Sequence, residues 1–273
     1  KARLEGAASG NVLLRRAQHN QSLNPLFALD FARACVAGKV RNSRQVLLRG
    51  ARDAKSESDA AALTRGAQDL AATLRALPDA NDLDVLRGLE GEAARQYFER
   101  QPMLVKADLR AEFSMDGRTR RPPRDRMNAL LSFLYSMWMN DCRSALEAVG
   151  LDPQVGFLHV LRPGRAALAL DLMEEFRPFA DRLALSLVNR GQIRADDFLV
   201  REGGGVSLSA DARKAVVVAF QERKQEEVQH PVLAHSLALG LVPLVQARLV
   251  ARAIREEVDA NGQVSGYLPF LVR

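Results

Sequence analysis

Aromatic side chains make up only 5% of the 273 residues, and there are just two cysteines, Cys35 and Cys142. Both cysteines sit in apolar helical contexts and form no Cys-x-x-Cys motif, so a reducing cytoplasm is the expected compartment. No apolar run reaches about 18 residues, which excludes a membrane-spanning helix, and no signal-peptide pattern is visible. Gly203-Gly204-Gly205 lacks the following Lys-Ser/Thr of a phosphate-binding loop and reads as a turn. There is no adjacent His-Asp pair and no Asp-Asp-x-x-Asp motif, which argues against helical phosphohydrolases and prenyl-diphosphate enzymes. Terminal basic tails, internal repeats and low-complexity tracts are also missing. The chain begins at Lys1 and not at Met, so a further N-terminal portion is expected upstream.

What the chain has is Ala, Leu and Arg, with 47% hydrophobic and 26% charged residues, a composition that favours helices. A net charge of +6 makes an anionic partner plausible. The pattern is helical from Asn24-Pro25 onward, with one helix marked by Leu26 to Cys35, another by Val46 to Ala51, and a third from Ala61 to Leu77. A long apolar helix is expected over Asn128–Val149, ending at Gly150. Phe198-Leu199-Val200 and Val206-Ser207-Leu208 flank the glycines as a hairpin. Ser209 caps a helix through Val228, and Pro231 to Val258 reads as a last helical stretch. Residues 11–17 fit strand or helix equally.

Several polar residues stand where a helical core should be apolar. Glu90 interrupts the stripe Leu86, Ala93, Ala94, Tyr97, and a buried carboxylate needs a cationic partner. Asp171, Glu174 and Glu175 fall at i, i+3 and i+4, where carboxylates repel unless a cation neutralises them. With His159 they suggest a divalent-metal site. Taken singly, each has a plainer reading. Glu90 would pair with Arg87 or Arg95, His159 would be a hydrogen-bonded structural histidine, and the three acids would be a solvated helix face.

Taken in order, Gly88-Leu89-Glu90-Gly91, Ala93-Ala94-Arg95, Tyr97-Phe98, Arg121-Pro122-Pro123, Asn128-Ala129-Leu130-Leu131-Ser132-Phe133, Gly156-Phe157-Leu158-His159, Asp171-Leu172-Met173-Glu174-Glu175-Phe176-Arg177-Pro178 and Tyr267-Leu268-Pro269-Phe270-Leu271 form a set. This set resembles the CRISPR-associated integrases of the Cas-one family, in its type I-C-like branch. The resemblance implies a mainly α-helical catalytic domain with a small β-hairpin over 21–273. Residues 1–20 would be the end of a β-rich N-terminal domain and its linker. It implies metal ligation and catalysis by Glu90, His159 and Glu174, with Glu174 where many relatives carry Asp. Two carboxylates and one imidazole suit Mg²⁺ or Mn²⁺. Asp171 then orients His159 or a metal-bound water, and Glu175 pairs with a basic neighbour such as Arg177.

The implied reaction joins prespacer 3′-hydroxyl ends to the CRISPR repeat by transesterification. The implied partners are DNA, a second copy of the chain and a small ferredoxin-like adaptation subunit, with no membrane. Competing readings are a helical nuclease that only hydrolyses DNA and a non-catalytic nucleic-acid scaffold. For phosphate contact, Arg118, Arg121 and Arg124 are candidates in a loop stiffened by Pro122 and Pro123, as are Arg223 and Lys224 on a later helix. The plain alternative for both groups is a solubilising face.

Overall fold

The computed structural model describes residues 11–257 and 266–271. Helix α1 (Val12–Ser22) starts at Asn11, whose side chain accepts from the Leu13 and Leu14 amides. This resolves as helix the segment that fits strand or helix equally by sequence, and residues 1–10, part of the expected β-domain end and linker, lie outside the described residues.

Helix α2 (Pro25–Asp53) is one continuous element of 29 residues where the sequence pattern suggested two. Asn24 caps it and Pro25 occupies its first turn, where a missing N–H costs nothing. Its two glycines, Gly38 and Gly50, are both explained by packing: a Cβ on Gly50 would lie 2.1 Å from the Leu104 side chain. A Cβ on Gly38 would lie 2.8 Å from the Pro269 side chain, which crosses α2 at this point. The buried stripe of α2 runs Ala28, Phe31, Ala32, Cys35, Val36 and then turns polar at Lys39, Asn42 and Ser43.

Helices α3 (Glu57–Ala76) and α4 (Leu83–Arg100) pack on α2. The central α5 (Arg126–Val149) is capped by Asp125 and ends at Gly150, whose φ of 93° suits glycine. Against it lie α6 (Ala167–Met173), α7 (Arg177–Asn189) and α9 (Val242–Ile254). Between α6 and α7, residues Glu174–Phe176 tighten into a 3₁₀ turn. The expected hairpin is present: β1 (Phe198–Val200) pairs antiparallel with β2 (Val206–Leu208), and Gly203 and Gly204 take positive φ in the turn. Ser209 caps α8 (Ala210–Gln225) as expected.

The end of the chain departs from the pattern. Helix α8 stops at Gln225, and a second hairpin, β3 (Glu227–Gln229) with β4 (Ser236–Ala238), replaces the start of the expected final helix. Pro231 has no N–H to give to a helix, and the His230 ring accepts from the Val232 and Leu233 amides, which closes a turn instead.

The few aromatics are concentrated in the core. Trp138 of α5 stacks on Phe176 at 5.0 Å and meets Phe220 edge-on at 5.2 Å. Phe270, from a strap over residues 266–271, stacks on Phe179 at 5.5 Å. Such rings combine large apolar area with preferred geometry, so this cluster fixes the 3₁₀ turn against α5.

Candidate active site

Four elements aim polar side chains at one place. Glu90 comes from α4, His159 from the loop between α5 and α6, Glu174 from the 3₁₀ turn, and Lys39 from α2. The Lys39 ammonium bonds Glu90 Oε1 and lies 2.8 Å from Glu174 Oε2. His159 Nε2 is 3.8 Å from Glu174 Oε1. Glu174 thus links the three expected site residues: Lys39 bridges its Oε2 to Glu90, and His159 lies on the side of its Oε1. Among the described residues, no three His, Cys, Asp or Glu side chains are arranged closely enough to hold a metal ion. The cation between the carboxylates is Lys39.

The partner of Glu90 is thus neither arginine expected from its own helix. Arg87 bonds Asp84 and the Leu158 carbonyl, and Arg95 bonds Glu92 and Glu99. Arg87 instead steadies the loop that delivers His159. The expected neighbours of Glu90 on the stripe, Leu86, Ala93 and Tyr97, are buried.

Asp171 is fully buried, and the loop folds around its carboxylate. Oδ2 accepts from the Phe157 amide at 2.6 Å and the Leu158 amide at 3.1 Å, and Oδ1 accepts from the His159 amide at 3.0 Å. His159 Nδ1 lies 2.6 Å from the same Oδ1. With Nδ1 turned to Asp171, Nε2 is the nitrogen left facing Glu174. Gly156 makes this close wrapping possible. A Cβ on it would meet the Ala167 carbonyl carbon at 2.6 Å and Asp171 Oδ2 at 2.7 Å.

Glu174 is buried between opposite charges. Arg177 Nε and Nη2 each lie 2.8 Å from Oε1. Oε2 is met by the Lys39 ammonium at 2.8 Å. Burial alone would raise its pKa. Arg177, then Lys39 and His159, overcome that and hold the carboxyl well below the usual range. Arg177 also stacks its guanidinium 4.9 Å above the Tyr135 ring.

Glu175 corrects the sequence reading. It neither shares the face of Glu174 nor pairs with Arg177, because the 3₁₀ turn sends the two neighbours apart. Its carboxyl is buried and accepts from Tyr267 Oη at 2.6 Å, from Gln246 Nε2 at 3.1 Å and from the Phe270 amide. Burial pushes it up to about 8. Nor are the three acids a solvated face, since all are buried.

The basic candidates divide. Arg118 is not a free loop cation: it bonds the Asn128 side chain, the Thr119 carbonyl and Ser132 Oγ and lies over the Tyr135 ring. Arg121 and Arg124 are exposed, with Arg124 donating to the Gly203 carbonyl. Arg223 pairs with Glu226. Lys224 pairs with Asp141 at 2.7 Å and packs under Gly240, so it serves the fold.

Lys39 was missed by the pattern reading, and Arg177 was assigned to Glu175 where it pairs with Glu174. Lys39 stands four residues after Cys35 and four before Ser43 on the α2 stripe, the cationic counterpart of the Glu90 anomaly. Two charges of opposite sign, each misplaced on an apolar stripe, are a signal for pairing.

The family model for the CRISPR-associated protein Cas1 matches residues 1–222. A Cas1 endonuclease of Moorella thermoacetica is 55% identical across 100% of this chain and 78% of its own length. One of Chlorobaculum tepidum is 47% identical, over 99% of this chain and 77% of its own. The chain thus spans about three quarters of the length of these relatives. Among solved structures, a partial complex described as Cas6-RT-Cas1–Cas2 aligns with a TM-score of 0.78 at 27% identity, covering 98% of this chain and 77% of that one. A Cas1 protein of Thermotoga maritima aligns with a TM-score of 0.74 at 26% identity, covering 89% and 70%. A casposase bound to its integration product shares the fold, with a TM-score of 0.77 at 24% identity, covering 90% of this chain and 66% of that one. The motifs, the helical fold and these likenesses agree, and the chain belongs to the Cas1 family of CRISPR-associated proteins.

Proposed function

We propose that this chain is a divalent-metal-dependent DNA endonuclease and integrase of CRISPR adaptation. The observation that carries the reading is the grouping of Glu90 and His159 about Glu174 in a Cas1-family chain, with Lys39 bridging the two carboxylates and His159 Nε2 3.8 Å from Glu174 Oε1. The donor set suits Mg²⁺ or Mn²⁺, with two carboxylates and one imidazole whose Nδ1 is held by Asp171, leaving Nε2 toward Glu174. When bound, such an ion supplies Lewis acidity to the scissile phosphodiester and favours deprotonation of the attacking hydroxyl.

The rest is the work of the chain's own side chains. Asp171 fixes the His159 ring, and Arg177 keeps Glu174 ionised and oriented. Arg121 and Arg124 lie exposed on the basic loop, suited to DNA phosphates. The nucleophile is the 3′-hydroxyl of a prespacer end, and the acceptor is a CRISPR repeat. A second copy of the chain and a small ferredoxin-like subunit complete the assembly. The neighbouring complex that contains Cas2 supports such a subunit.

The test is Mn²⁺-dependent joining of a 3′-hydroxyl oligonucleotide to a repeat-bearing plasmid. Alanine at Glu90, His159 or Glu174 should abolish joining while the helical circular dichroism remains. Conservative changes should rank Glu174→Gln most damaging, Asp171→Asn intermediate and Glu175→Gln mild. Release of nicked DNA without joined product would favour a hydrolytic nuclease. DNA binding unaffected by chelator or by Glu90→Ala, with no product of either kind, would favour a scaffold.

A further inference from the structure

Lys39 has no part in that chemistry, yet it occupies the centre of the site. The side chain is 11% exposed and its ammonium neutralises two carboxylates from different elements, Glu90 on α4 and Glu174 on the 3₁₀ turn. The two cations on Glu174 are not equivalent. Arg177 reaches Oε1 through both Nε and Nη2 and stacks on Tyr135, whereas Lys39 meets Oε2 through a single ammonium contact of 2.8 Å. Lys39 hangs from a flexible four-carbon stem, while Arg177 is held in a planar fork. Lys39 also lines a recess beside the site, together with Arg118, Arg120, Tyr135 and Arg177.

We propose that Lys39 is an exchangeable counter-cation: it holds Glu90 and Glu174 before a divalent ion enters, yields its place to that ion, and swings into the neighbouring recess toward the DNA phosphate. An ammonium and a divalent ion cannot share one pair of carboxylates, because their mutual repulsion in a poorly solvated site is strong. Arg177 offsets the charge of Glu174 on its Oε1 side, but Lys39 is the cation that bridges the two carboxylates, so without its ammonium they would repel across the site. This inference rests on the reading of Glu90 and Glu174 as ligands, and the experiment separates the two.

Mn²⁺ alone is titrated calorimetrically into the full chain and its variants, and thermal unfolding is followed with EDTA and with Mn²⁺. Lys39→Met keeps the length and removes the charge. It should bind Mn²⁺ at least tenfold more tightly than the parent, melt at lower temperature in EDTA, and recover when Mn²⁺ is added. Lys39→Arg, which keeps the fold's internal charge balance, should bind Mn²⁺ more weakly, because a fork holds both carboxylates more firmly. Strand transfer by Lys39→Met should be impaired despite the tighter ion. Unchanged or weaker Mn²⁺ binding by Lys39→Met, or tighter binding by Lys39→Arg, would overturn the exchange. Glu174→Gln is the control: if it binds Mn²⁺ as the parent does, the ligand assignment itself falls, whatever Lys39 does.

Discussion

Replacing Asp171 by Asn tests whether this residue acts through His159. The carboxylate accepts from three main-chain amides, those of Phe157, Leu158 and His159, and faces His159 Nδ1 at 2.6 Å. An amide offers one oxygen, so its NH₂ must confront either the Phe157 and Leu158 amides or the His159 pair. Two hydrogen bonds to an ionised acceptor disappear, at roughly 1.5–3 kcal/mol each, and two buried donors are left unpaired. Relief from burying a full charge offsets part of this, leaving a net cost of about 2–4 kcal/mol. For a chain of this size that is a drop of roughly 5–10 °C in melting temperature. Activity should fall through misplacement of His159, so the double variant Asp171→Asn with His159→Ala should lose no more strand transfer than His159→Ala alone. A melting temperature within about 1 °C of the parent would refute the hydrogen-bond accounting. Additive losses of activity would refute the claim that Asp171 works through the imidazole.

Other outcomes follow from the same geometry. Glu175 has a folded-state pKa raised to about 8, so it retains a proton that the unfolded chain releases near pH 4.3. Its stabilising contribution is present at low pH and is lost as pH rises toward 8, at up to about 1.4 kcal/mol per pH unit. Glu175→Gln should flatten the decline in melting temperature between pH 5 and 8, and an unaltered slope would count against it. Neutralising Arg121 and Arg124 together should lower the log–log salt slope of duplex binding by roughly 0.9 for each phosphate no longer neutralised, and an unchanged slope would make the loop a solvated face. Gly156→Ala would press a methyl against the Ala167–Leu168 backbone, and it should reduce strand transfer more than it reduces helical content.

Much of this architecture was legible because helices announce themselves by period, and Asn24, Gly150 and Ser209 sit at helix ends where their chemistry belongs. Glu90 was legible for the same reason, as an error in a stripe. Its partner was sought on its own helix, since a one-dimensional pattern exposes only neighbours three and four residues away. Lys39 is 51 residues distant and became its partner through the packing of α2 on α4. Glu175 was misread because helical spacing was assumed through Asp171–Glu175, whereas the segment tightens to 3₁₀ at Glu174 and rotates the next side chain away. The second hairpin escaped because His230 caps a turn with its ring, which no hydrophobic period records.

The back-to-back carboxylates of the 3₁₀ turn have a mechanical consequence. Glu174 belongs to the charged cluster with Lys39, Glu90 and His159, Glu175 grips the 266–271 strap, and one peptide unit of about 3.8 Å separates their Cα atoms. That unit is a short lever. A pull that shifts Tyr267 or Phe270 is felt one residue away by the carboxylate in the cluster, with no compliant loop between to absorb it. Loosening the strap will therefore register as a defect in chemistry, although none of its atoms touches the reacting groups.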